Sequence, residues 1–94
     1  MFKWLNKQGV ESDQGFVVQV VSRFVIEYRQ QQKKISVHIE IESVSSTEVS
    51  ILVHKSSFTH WDDAIHISKN EQTEIIKNFI AAMKFQDINV ILED

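Results

Sequence analysis

Four histidines are the residues most suited to holding a metal. His54, His60 and His66 stand six apart, and His38 lies upstream. Three ligands at that spacing in one short segment match no common zinc pattern, and there is no Cys to complete one. These side chains are therefore expected to be solvated or hydrogen-bonded imidazoles, with no metal and no cofactor. Ser56, Ser57, His60 and Asp62 could be drawn as a hydrolytic triad. No glycine-built turn or oxyanion hole surrounds them, and geometry rather than residue presence defines such a site. Glu40, Glu42 and Glu48 form a third group. As general acids and bases they would need a cleft to separate their pKa values. As a docking patch for a basic partner they need only exposure and shape; as plain surface carboxylates they need only water. Trp61-Asp62-Asp63 is the fourth. Trp61 can anchor a loop with its ring buried or act as an exposed contact residue, and packing is the commoner fate. Asp62 and Asp63 on the same loop are the better contact candidates.

Composition removes whole classes of chemistry. The chain has 94 residues, no Cys, no Pro and only two glycines, Gly9 and Gly15. A phosphate-binding loop, a dinucleotide fingerprint and a nucleophile elbow all require glycines that residues 16–94 lack. Ten Lys and Arg against 13 Asp and Glu give a net charge of −3. The only adjacent cations are Lys33-Lys34, which disfavours nucleic acid as a partner, because such binding needs clustered positive charge. The opening residues, Met1 to Lys7, are broken by Lys and Asn before a secretory apolar core forms. No stretch reaches the roughly 18–20 apolar residues that span a bilayer. A cytoplasmic, non-enzymatic protein is expected.

The elements that position these groups follow from hydrophobic period. Residues 6–15 are polar and contain both glycines, and residues 1–15 read as a flexible or loosely docked N-terminal lead-in to a single domain over 16–94. Phe16–Val21 is a short apolar strand. Arg23–Arg29, Ile35–Glu42 and Val49–His54 alternate with one apolar face each, the mark of a half-buried antiparallel sheet. Parity of the buried set puts Tyr28 opposite Ile35, Ile26 near Val37 and Arg23 opposite Glu40. After the Ser-rich turn Val44–Thr47, Ile41 is expected opposite Val49. That register sets Glu42 against Glu48, and like charges directly opposed are destabilising. Ala64–Ser68 reads as a further short strand. Ser68 and Glu71 form a capping box that opens a helix over about Lys69 to Lys84. Its apolar stripe is Ile75, Ile76, Phe79, Ile80 and Met83. Ile88, Val90 and Leu92 form a last strand. The fold class is α+β: a two-layer sandwich with an antiparallel sheet of about 5–6 strands and one main helix on one face, in the order β-β-β-β-(β)-α-β.

From Phe24 onward the chain resembles a family of small immunity proteins from bacterial polymorphic-toxin systems. The residues that carry the likeness are Phe24–Tyr28, Val49–Val53, the Trp61-Asp62 loop, the run Ile67 to Phe85 and the closing strand Ile88–Leu92. Asp63 stands where family members tend to carry proline. The resemblance implies an inhibitor used in interbacterial competition, binding a cognate toxin C-terminal domain and blocking it without catalysis. A basic toxin such as a nuclease would suit the carboxylates Glu40, Glu42 and Glu48, and a cationic partner would relieve the Glu42–Glu48 repulsion. The alternative is a small adaptor or self-assembling subunit; exposed edge strands leave room for a homodimer.

Overall fold

In the computed structural model residues 1–45 and 48–93 are described. Seven strands and one helix follow in order: β1 (Phe2–Asn6), β2 (Gly9–Ser12), β3 (Phe16–Ser22), β4 (Val25–Gln30), β5 (Lys33–Val44), β6 (Val49–His54), a 3-10 turn over Lys55–Phe58, α1 (Lys69–Phe85) and β7 (Ile88–Glu93). The fold is α+β, as the hydrophobic periods indicate. The strands lie in sequence order across one sheet. Every neighbouring pair is antiparallel except β6 and β7, which are parallel because α1 carries the chain back across the sheet between them.

The sheet is larger than the 5–6 strands expected, and the difference lies at the start. Residues 1–15 are not a flexible lead-in but a hairpin paired to β3. Val10 is buried in the core. The two glycines serve this hairpin rather than loosen it. A Cβ on Gly9 would stand 3.2 Å from the Gln19 side chain, so the bare backbone allows close approach. Gly15 has φ +98°, a conformation that side chains with a Cβ rarely adopt, and it turns the chain into β3.

Parity correctly places the central hairpin, with Tyr28 opposite Ile35 and Ile26 opposite Val37. Its turn is the two residues Gln31 and Gln32, at φ 52° and 66°. Positive φ at both central positions is the primed turn that matches strand twist. Arg23 and Phe24 fall short of β4 and form the β3–β4 turn instead, so Arg23 does not sit opposite Glu40 on a paired strand. Its guanidinium lies 5.7 Å from the centre of the Phe24 ring.

The helix begins where the capping box sets it. Ser68 is the N-cap, its hydroxyl accepting from the Glu71 amide at 3.3 Å. The buried helix face is Ile75, Phe79, Ala82 and Met83, while Ile80 lies toward solvent. Phe79 packs edge-on against Phe58 at 5.4 Å, and the sheet contributes Val18, Ile26, Val37 and Val53, all fully buried. At the far end Phe85 meets Phe2 and Trp4 of β1, at 5.5 and 5.7 Å. The sheet thus curls until its first strand also reaches the helix. Asp87, at φ 61°, ends the helix in the left-handed conformation that glycine usually supplies.

Candidate functional site

The carboxylates expected to cluster are separated by a bulge. β5 pairs with β6 through Ile39 opposite Val53, Glu40 opposite Leu52 and Ile41 opposite Ile51, and then jumps to Ser43 opposite Ser50. Glu42 is the extra residue of that step. The expected pairing of Ile41 with Val49 is therefore wrong, and Glu42 does not face Glu48. Glu48 lies past the last strand pair, Val44 with Val49, and the turn is closed by Ser45 N–H donating to the Glu48 carbonyl at 2.7 Å. Ser46 and Thr47 of the expected turn lie outside the described residues. Glu48 lines a cleft of about 360 Å³ beside the helix with Ile80, Lys84, Asp87 and Ile88. Glu40 lies across from Leu52, whose side chain points away from the core partners Ile51 and Val53.

Around these carboxylates the end of β5 is open. Residues 40–44 are all exposed although β6 is paired beside them. Ile41 and Val44 are 44% and 67% exposed, and Phe24, which bonds to Ile39 through its carbonyl, is 57% exposed. By parity Phe24 and Ile41 should be inside. Length explains why they are not: twelve strand residues extend for about 40 Å, whereas the 17 residues of α1 cover only about 25 Å. The helix length is legible in the sequence, but the strand read there, Ile35–Glu42, is about as long as the helix, and the mismatch appears only because β5 runs from Lys33 to Val44.

The Trp61 loop has a different role for each residue. Trp61 is 8% exposed and belongs to the core cluster, with the Lys33 ammonium 5.9 Å from its ring. Asp62 is committed to β5. Its amide donates to the Lys34 carbonyl at 2.8 Å, and its carboxylate accepts from the Ser36 amide at 3.0 Å and the Ser36 hydroxyl at 2.8 Å. The N-terminal half of β5 pairs with β4 and its C-terminal half with β6. Asp62 thus covers the backbone edge that β6 leaves open. Asp63 accepts from the Ile65 amide at 3.1 Å and holds the turn. The triad drawn from the sequence is not assembled: Asp62 binds Ser36, and the His60 ring meets Thr59 at 3.1 Å. Ala64–Ser68 is not a strand; it contributes only an antiparallel bridge of His66 to His60.

A second, polar cleft of about 260 Å³ lies between the Gln31 turn, Trp61 and the first half of α1, with Glu71, Glu74 and Asn78 on its wall. Beneath it the buried Tyr28 hydroxyl donates to Gln30 Oε1 at 2.6 Å and accepts from Asn78 Nδ2 at 3.1 Å. Burial pushes this phenol above the ordinary tyrosine range; the Asn78 hydrogen bond works in the opposite direction, and the Glu74 charge adds to the rise.

Among the described residues no helix is long and apolar enough to cross a membrane. Comparison of the chain with protein-family models, with curated proteins and with solved structures gives no match.

Proposed function

We propose that this protein is a cytosolic binding module that neutralises a cognate toxin domain by occupying it, without chemistry of its own, in the manner of the immunity proteins it resembles. The observation that carries this reading is the open end of β5. There Phe24, Ile41 and Val44 are exposed, with Glu42 at the bulge, Glu40 on the other face of the strand opposite Leu52, and Glu48 at the far side of the turn. Exposed apolar residues bordered by charge have the anatomy of a protein interface, and carboxylates at its rim favour a basic partner and speed its approach. Trp61 and Asp62 contribute by holding β5 in place rather than by touching the partner.

The test is co-expression with the C-terminal domain of a toxin encoded next to this chain's gene. Growth rescue and a complex that co-purifies are expected. Glu40→Lys with Glu42→Lys should weaken that complex and flatten its salt dependence, leaving Tm nearly unchanged; Phe24→Ala should loosen it by about tenfold or more. No rescue and no complex would reject the reading for that pair. A complex indifferent to all three substitutions would place the interface elsewhere.

The self-assembling alternative draws on a separate feature, the outer edge of β1 with Trp4 53% exposed. Sedimentation showing a concentration-dependent dimer that Trp4→Lys abolishes would favour it.

A further inference from the structure

The histidine spacing argues against a zinc site in sequence, yet the fold makes two of these residues direct neighbours. Ile67 N–H donates to the Thr59 carbonyl at 2.8 Å, and Trp61 N–H donates to the Ile65 carbonyl at 2.9 Å. These two bonds flank His60 and His66, the partners of the antiparallel bridge. The pair is therefore of the non-hydrogen-bonded kind, in which directly opposed side chains come closest. Their ring centroids are 5.0 Å apart and the rings are perpendicular. Both residues are exposed, so their rings can turn without disturbing the core.

The hydrogen bonds also favour one tautomer of His60. The Thr59 hydroxyl donates its single proton to the Ser56 carbonyl at 2.9 Å. It has only lone pairs left for the His60 ring, whose Nδ1 lies 3.1 Å away. With the Thr59 proton so directed, Nδ1 carries the ring proton and donates, which leaves the lone pair on Nε2. A ligating imidazole held through its other nitrogen is the usual outer-shell arrangement of metal sites.

We propose that His60 and His66 together bind a divalent late transition-metal ion, with His60 ligating through Nε2. Imidazole nitrogens suit zinc, nickel and copper and not calcium or magnesium. Bonds of about 2.0–2.1 Å to each nitrogen require the two rings to rotate until their free nitrogens converge on one point. No third His, Asp or Glu joins them among the described residues, so water completes the coordination. The bound ion clamps the loop that carries Trp61 and Asp62, so Tm rises with metal concentration. This inference is independent of the toxin-binding proposal.

The test is calorimetric titration of chelator-treated protein with zinc chloride and with nickel chloride, with magnesium chloride as control. One ion per chain is expected for zinc and nickel, and none for magnesium. His60→Gln and His66→Gln should each weaken binding by about tenfold or more, whereas His38→Gln and His54→Gln should leave it unchanged. Thr59→Val should weaken it by about tenfold, and Thr59→Ser should restore it, because the serine hydroxyl can hold Nδ1 in the same way. Nitrogen-15 spectra of the histidine rings should show the Nδ1-protonated form of His60 before zinc and the zinc-induced shift at Nε2. Far-UV spectra should show every variant folded, since the four histidines are exposed and Thr59 is only partly buried. Binding that survives both His60→Gln and His66→Gln, or a shift at His60 Nδ1, would overturn the proposal.

Discussion

Replacing Gln31-Gln32 by Asn-Gly should make the protein more stable. Both glutamines have φ in the left-handed region, 52° and 66°, where a residue with a Cβ is disfavoured by about 1 kcal/mol or more. The turn thus stores on the order of 2 kcal/mol of local strain. Neither side chain makes a hydrogen bond among the described residues, and the closing pair is Gln30 with Lys33, so exchanging the central residues removes no contact that holds the hairpin. Asn tolerates the first position. Gly relieves the second, at a return cost of about 0.5–1 kcal/mol from its freer unfolded chain. The expected net gain is about 1 kcal/mol, which for a domain of this length raises Tm by about 4–8 °C. Urea unfolding should show a higher midpoint with an unchanged slope, the mark of a true stability change. Gln32→Val supplies the opposite sign, because a β-branched residue fits this region worst. A double variant no more stable than the parent, with an unchanged slope, would refute the left-handed turn and the register built on it.

Other substitutions probe separate parts of the molecule. Phe79→Ala removes a fully buried ring in contact with Phe58 and should cost about 3–5 kcal/mol, a large share of the stability of a domain this small, read by urea or thermal unfolding. Ser68→Ala should cost about 1 kcal/mol by removing the helix N-cap, with Ser68→Asp keeping most of it. Tyr28, the only tyrosine, has its phenol held above 10.0 chiefly by burial. Its stabilising contribution is therefore complete below pH 10 and is lost as pH rises through the higher folded value. Absorbance titration near 295 nm should show this late ionisation, and Asn78→Ala should delay it further, because Asn78 is the group that lowers it. Asp62→Ala should speed hydrogen exchange at the Ser36 amide, its bonded partner.

Elements whose local signals agree could be read directly from the chain. The Ser68–Glu71 box marks the start of α1, and the even–odd parity of Ile26, Tyr28, Ile35 and Val37 allows one register for β4 and β5. β1 and β2 were hidden because Gly9 and Gly15 resemble loop punctuation when their partners are unknown. One opposes Gln19 at close range and the other makes a turn, and neither role exists without β3. The β5–β6 register was hidden by Glu42. A single inserted residue leaves no trace in alternation that is already polar, yet it moves the carboxylates onto different parts of the surface. Period assigns Phe24 and Ile41 to the interior; their exposure depends on how far a helix of limited length can reach. His60 and His66 met for a similar reason. Their separation in sequence says nothing until a tight turn at Asp62-Asp63-Ala64 folds the segment back on itself.

The parallel pairing of β6 with β7 has a consequence for biosynthesis. β1 to β5 are joined by short turns, so each can pair with its predecessor soon after leaving the ribosome. The other flank of β6 must wait until all of α1 and then β7 have been made. Until that moment the nascent chain displays the apolar row of Val49, Ile51 and Val53 beside an open backbone edge, the kind of surface to which chaperones and other unfinished chains adhere.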